Sequence, residues 1–258
     1  LAKQGYQIFL FDHRGQGLSE RLLSSPYKGY VKTFQDYVDD LSTFVNQIVQ
    51  PHCSTKPYLL AHSMGGAISA RFMQDSPEAI QAAVLSAPMF GFNSGPIPSF
   101  IAKPLIKSLN ALNHIVSDMP WYFLGQSDYK PTPFIENKFS YSSAKYQDCI
   151  KLYQESPSIQ LGGVTLNWLS ESITAQETVF SRLEDLKTPL IVLQASEDSV
   201  IDNNAQNEFC MQLNGLNPSS CPGSKPFVIQ GAYHEVFIER DDYRNKALAE
   251  ALKWFANH

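Results

Sequence analysis

Short apolar runs separated by turn-forming residues recur along the chain. They are Tyr6–Phe11, Tyr58–Ala61, Ala82–Ser86, Leu190–Gln194 and Phe227–Gln230. Continuous apolar runs of this length predict strands buried on both faces, as in a parallel sheet. Between them the spacing changes to three and four. Phe34, Tyr37, Leu41, Phe44 and Ile48 fall on one stripe between Thr33 and Gln50, which predicts an amphipathic helix ended by Pro51. Thr33 and Asp36 resemble a capping box at its start, with Asp in place of the usual Glu. Met64–Asp75 is rich in Ala and Gly and predicts a helix lying close on the sheet. Tyr243, Ala247, Ala251 and Phe255 keep helical spacing near the end. Strand–helix alternation of this kind predicts an α/β fold, a mostly parallel sheet with helices on both faces.

The alternation breaks between Met89 and Asp185. From Met89 to Ile135 the chain holds eight aromatics and only five charged residues. The break predicts a helical cap at 89–185, inserted into a core made of 1–88 and 186–258. No internal repeat or low-complexity tract is visible.

Composition narrows the function. With 43% hydrophobic and 17% charged residues among 258, the chain has enough apolar material for a core, which excludes disorder. A net charge of −5 without Lys/Arg clusters argues against nucleic acid as a partner. No apolar run approaches the ~18 residues needed to cross a bilayer, and no signal-peptide pattern opens the chain. Leu1-Ala2-Lys3-Gln4-Gly5 reads like the end of a helix with its Gly cap, so the chain is expected to lack its natural N-terminus. The four cysteines, Cys53, Cys149, Cys210 and Cys221, form no Cys-x-x-Cys pair, and no metal site is expected. Cys210 and Cys221 flank a turn-rich stretch and are placed to bridge. Two unpaired thiols in a reducing compartment is the plainer expectation.

The chemistry is sharpest at Ala61-His62-Ser63-Met64-Gly65. A strand runs into Ser63 and a helix leaves it, the setting of a Gly-x-Ser-x-Gly nucleophile elbow. Ala61 stands where the pattern has glycine, and Gly65 keeps the other flank small. The turn lifts the Ser63 hydroxyl above the sheet edge, where the backbone N–H of Met64 can donate to an oxyanion. A serine hydroxyl needs a base. Of six histidines, His234 follows the last strand, at the sheet edge where α/β active sites form. His62 adjoins Ser63 but is expected to point away from it. The acid belongs after a strand between Ser and His. Asp198 is the choice; Glu197 and Asp202 remain alternates. The predicted catalytic group is Ser63, Asp198 and His234.

Phe11-Asp12-His13-Arg14-Gly15-Gln16-Gly17-Leu18-Ser19, the elbow, and Gly231-Ala232-Tyr233-His234-Glu235 together resemble the monoglyceride-lipase-like (serine aminopeptidase S33) α/β hydrolases. Phe134-Ile135-Glu136-Asn137, Ser156–Thr165, Trp168 and Glu171-Ser172 are similar to the bacterial lysophospholipases of the L-two type within that family. The resemblance implies a serine esterase without a cofactor that acts on a fatty-acyl ester, lysophospholipid first. A monoacylglycerol lipase, a general carboxylesterase, a prolyl aminopeptidase and a non-catalytic binding protein on the same scaffold are the rivals. It also implies that Asp12, Arg14 and Gly15 form a structural loop. The family's first strands, with a second oxyanion donor, would precede Leu1. The cap would receive the acyl chain, with Phe100, Leu105, Trp121 and Phe123 as contacts. Lys103 and Lys107 would face anionic headgroups. The expected location is cytoplasmic, peripheral on the inner face of the inner membrane. The oligomeric state is left open.

Overall fold

The computed structural model describes residues 1–258. Four strands, β1 (Leu59–His62), β2 (Ala83–Ser86), β3 (Leu190–Ala195) and β4 (Phe227–Ile229), form one sheet in the order β1-β2-β3-β4. Every neighbouring pair is parallel, with Leu60 opposite Val84 and Val84 opposite Ile191. Parallel neighbours need crossovers, and helices supply them. The helices are α1 (Gln35–Phe44), α2 (Met64–Asp75), α3 (Ser99–Val116), α4 (Ser143–Glu155), α5 (Leu166–Ser181), α6 (Asn203–Leu216) and α7 (Asp241–Ala256).

The two faces of the sheet head separate apolar clusters. Ala83, Leu85, Leu190 and Val192 pack with α1, α2, α5 and α6. Val84, Ile191, Leu193 and Ile229 pack with Ala247, Ala251, Trp254 and Phe255 of α7. Alternation with period two thus serves two buried faces, which is why these strands read as unbroken apolar runs. The expected helices on both faces are present.

Tyr6–Phe11 departs from the expectation. It is extended but pairs with no strand, and Leu10 is 86% exposed. A cleft of about 930 Å³ lies between it and β1, with Tyr6–Phe11 on one wall and Tyr58–Ala61 on the other. An apolar run reports a preference for burial, whereas a strand needs a partner backbone within about 4.8 Å. The helix predicted for Thr33–Gln50 is also interrupted. After α1 the chain widens into a π-type turn, Val45–Val49. The wider turn rotates the apolar stripe, so Val45 and Val49 are buried while Ile48 is 47% exposed. Half of the capping box forms: the Asp36 carboxylate accepts from the Thr33 N–H at 3.3 Å, while no side chain caps the helix from the N-cap position.

Residues 89–185 contain α3, α4 and α5 and no strand. α5 is the deepest of the three. Trp168, Leu169, Ala175 and Val179 join the main core, and Gln74 of α2 donates to the Val179 and Arg182 carbonyls at 2.8 Å. Cys210 and Cys221 form a disulfide, against the expectation of free thiols, while Cys53 and Cys149 are unpaired. Local sequence could not decide this, because the turn 214–220 is folded back by contacts with residues distant in sequence: the Asn217 side chain donates to the Leu186 carbonyl at 3.1 Å, and Ser220 Oγ accepts from Leu190 N–H at 3.1 Å.

Candidate active site

Ser63 sits between β1 and α2 at φ 52°, ψ −119°, a left-handed conformation for a residue with a Cβ. Backbone hydrogen bonds to the neighbouring strand and to the segment after it hold it there. Its N–H donates to Ser86 O at 2.9 Å, and its carbonyl accepts from Met89 N–H at 3.0 Å. Met64 opens α2, so its N–H has no intrahelical acceptor and makes no hydrogen bond to the protein. The tight flank of the elbow is one residue later than expected. A Cβ at Gly65 would meet only ordinary contacts, at 3.8 Å from His13 and 3.9 Å from Ala61. At Gly66 it would lie 2.7 Å from Pro88 Cβ. Close approach of α2 to the segment after β2 therefore demands the second glycine, and Ala61 is accommodated opposite the first.

His234 Nε2 lies 2.9 Å from Ser63 Oγ, and His234 Nδ1 lies 2.7 Å from Asp198 Oδ2. The His234 side chain is 4% exposed and that of Asp198 fully buried. The second Asp198 oxygen accepts from the N–H groups of Val200 and Ile201 at 2.8 and 3.0 Å, so the buried carboxylate has partners for its charge. Glu197 is exposed, and Asp202 caps α6 by accepting from Asn204 N–H. Neither alternate acid reaches the base. The three side chains predicted together are brought together across separations of 171 and 36 residues.

The loop carrying His234 is itself anchored. Gly231 takes φ 85° and its N–H donates to Ser196 Oγ. Glu239 is completely buried, and its carboxylate accepts from the N–H groups of Tyr233, Tyr141 and Arg240. Glu235 N–H donates to Phe139 O at 2.8 Å. The segment Phe139–Tyr141 is thus tied to the base.

His62 packs beside the base with ring centroids 4.8 Å apart, and its Nε2 lies 3.3 Å from Glu235 Oε2. Burial raises the Glu235 carboxyl, but the two imidazoles beside it outweigh burial and hold it below its ordinary value. His13 lines the cleft at Ser63 together with Gln16, Met64 and Trp168, and burial lowers its pKa. Sequence reasoning missed His62 and Glu235 as neighbours. The only sign was their adjacency to the two reactive residues.

The Asp12–Ser19 loop is held by its own side chains. Arg14 makes a two-pronged contact with Asp40 at 2.6 Å, and Asp12 accepts from Leu18 N–H at 2.8 Å. The cap residues behave differently from the expectation. Phe100 and Leu105 point to solvent, 76% and 51% exposed, Trp121 is 40% exposed, and Phe123 packs on the core. None of the four lines the cleft at Ser63. Lys107 is paired with Glu177 at 2.7 Å.

A strained serine on a strand-to-helix turn, joined through a histidine to a buried aspartate, can carry out nucleophilic acyl transfer. The profile of the family described as "Serine aminopeptidase, S33" matches residues 1–241. The chain belongs to this family. This S33-family chain is 40% identical over 254 residues to "Lysophospholipase L2" of Escherichia coli strain K12, covering 98% of this chain and 73% of that protein. It is 26% identical to "Monoglyceride lipase" of Rattus norvegicus, covering 97% and 73%. The crystal structure of Paleococcus ferrophilus monoacylglycerol lipase superposes with a TM-score of 0.62 at 18% identity, over 88% of this chain and 76% of that one. A soluble variant of Saccharomyces cerevisiae monoglyceride lipase gives 0.64 at 16% identity, over 94% and 74%. The fold is that of the α/β hydrolases. No helix is long and apolar enough to cross a membrane.

Proposed function

We propose that this chain is a carboxylic ester hydrolase that cleaves the acyl ester of a lysophospholipid. The observation that carries the chemistry is the contact of Ser63 Oγ with His234 Nε2, backed by Asp198. The 40% identity to the Escherichia coli lysophospholipase supports the substrate class.

In this mechanism His234 takes the Ser63 proton as the hydroxyl attacks the ester carbonyl. Asp198 holds the ring tautomer and stabilises the imidazolium. The free Met64 N–H donates to the tetrahedral oxyanion. As the oxyanion collapses, the C–O bond to the glycerophospho-alcohol breaks and that alcohol takes the proton from His234. Water, deprotonated by His234, then attacks the acyl-serine, and the fatty acid leaves with Ser63 restored. No metal or organic cofactor takes part.

The cap supports contact with a lipid surface. α3 is amphipathic in the inverted sense. Its inward side carries polar residues beside Ile106, which packs on the core: Asn110 and His114 reach Asn167, and Asn113 binds the Met119 carbonyl and the Trp121 N–H. Its outward side carries Phe100, Ile101, Leu105, Leu112, Ile115 and Val116, all 47% exposed or more. An exposed apolar face of this extent fits an interface with lipid better than water. The division into a core (1–88, 186–258) and a cap (89–185) belongs to this proposal, with α3 as the lipid-facing part and α5 rooted in the core. Of the two lysines, Lys103 is the one free of an ion pair to serve anionic headgroups. We keep the inner face of the inner membrane as the proposed location. The Cys210–Cys221 bridge, buried in the fold, is then the part to examine by alkylation after fractionation.

The deciding experiment combines fluorophosphonate labelling with hydrolysis of lysophosphatidylcholine, monoacylglycerol and proline anilide. Labelling lost in Ser63→Ala, with lysophospholipid preferred, supports the reading. Monoacylglycerol preferred moves it to the lipase named among the relatives, and absence of labelling to a binding protein. Flotation with anionic vesicles tests the membrane contact; protein left at the bottom of the gradient sinks it.

A further inference from the structure

The His62–Glu235 pair beside the base is not used by this mechanism. His62 Nε2 and Glu235 Oε2 are 3.3 Å apart, yet neither ring nitrogen of His62 makes a well-aligned hydrogen bond. Unpartnered buried nitrogens beside a carboxylate call for an explanation. One nitrogen of His62, one of His234 and one carboxylate oxygen of Glu235 all lie within 4.8 Å of one another. We propose that these three residues form a binding site for one divalent transition-metal cation, zinc being the type, and that its occupancy switches the hydrolase off. The switching rests on the hydrolase reading above; the binding does not.

Three features of the site favour zinc. The ligand set of two imidazoles and one carboxylate is a common one for zinc, and it leaves a fourth position for water. With metal–ligand distances of about 2.0–2.1 Å, the edge of a tetrahedron is about 3.3 Å, the spacing already present between His62 and Glu235. The three ligand atoms lie within 4.8 Å of one another, about 1.5 Å wider than that edge, so coordination draws the set together. The supporting contact is also in place. Asp198 takes His234 Nδ1–H at 2.7 Å, the carboxylate–histidine arrangement that orients an imidazole toward a metal. It leaves Nε2, the nitrogen facing Ser63, as the one free to coordinate. The His62 nitrogens are buried, while the His62 and Glu235 side chains as a whole are 24% and 33% exposed at the rim of the site.

Coordination and catalysis therefore compete for one lone pair. With the metal on Nε2, His234 cannot take the Ser63 proton, and the nucleophile is left un-ionised. The cation is an inhibitor, released by a chelator with activity restored.

The test follows fluorophosphonate labelling of the full chain against zinc concentration, with cobalt(II) absorption as a direct reading of the site. At about ten times its dissociation constant, zinc slows labelling about tenfold, because only the free fraction reacts. EDTA restores the rate. His62→Ala and Glu235→Gln, each referred to its own zinc-free rate, need at least about 10–100-fold more zinc for the same protection. Cobalt gives a tetrahedral spectrum at one equivalent, in Ser63→Ala as well. Labelling indifferent to zinc, or equal protection of both variants, overturns the proposal. If the chain never labels, the hydrolase reading fails and the cobalt spectrum decides the site: a tetrahedral band at one equivalent supports it, and its absence overturns it. Neither measurement on the unmutated chain depends on a variant folding.

Discussion

Ser63 is held in a backbone conformation that suits glycine, at φ 52°. Such strain costs about 1–3 kcal/mol and persists only where the surroundings impose it. Ser63→Gly is therefore expected to abolish hydrolysis while raising stability by about 1 kcal/mol in denaturant unfolding. Asp198→Asn keeps the shape of the site but presents the wrong partner to His234 Nδ1; kcat is expected to fall about 10⁴-fold with KM little changed. His13 carries a pH effect. Burial lowers its pKa in the folded state, so the unfolded chain takes up the proton first as pH drops below about 6.5. Its contribution is neutral above that pH, becomes increasingly destabilising below it, and levels off at its full cost once the folded pKa is passed. The loss of stability between pH 7.5 and 5.5 should be smaller in His13→Gln, measured by urea unfolding.

At the scale of elements, β1, α2 and the turn between them were legible because an elbow is written in consecutive residues. The tight glycine was not. Gly66 matters through Pro88, which is 22 residues away in sequence and whose Cβ would lie 2.7 Å from an added methyl. Gly66→Ala is expected to cost about 1–3 kcal/mol by overpacking, and Gly65→Ala much less, in thermal unfolding. The Cys210–Cys221 bridge ties the middle of α6 to the segment before β4, where Cys221 N–H also donates to Leu190 O at 2.8 Å. Closing so short a loop is worth about 2–3 kcal/mol, so Cys210→Ser should lower stability by that amount and remove the response of the midpoint to reductant. Periodicity predicted α1 and then failed at Val45–Val49, since a π-type turn shifts the stripe without any signal in composition.

For the molecule as a whole, the decisive feature is which surfaces face outward. Composition located an apolar, charge-poor segment after Met89, and the family resemblance pointed to some of its residues as contacts for the acyl chain. In the structure, Phe100 and Leu105 face solvent, and the polar side of α3 meets α5. The paired substitution Phe100→Ser and Ile115→Ser is expected to weaken vesicle binding by about tenfold or more, given about 1.5–3 kcal/mol for each large apolar side chain buried. Because both positions are exposed, stability should stay within about 0.5 kcal/mol. Co-sedimentation with anionic vesicles, read beside thermal unfolding, separates the two effects.

The amino-acid sequence alone determined what is local: the strand and helix periods, the elbow at Ser63, and the histidine that follows the last strand. It also set the order of nucleophile, acid and base along the chain. The tertiary structure decided what depends on distance between remote residues. It selected Asp198 over Glu197 and Asp202, because only a buried carboxylate with two backbone donors reaches His234. It brought His62 and Glu235 against the base, left Tyr6–Phe11 unpaired, and turned the apolar side of α3 outward. Periodicity follows from the geometry of one element, whereas these outcomes depend on which second element packs against it.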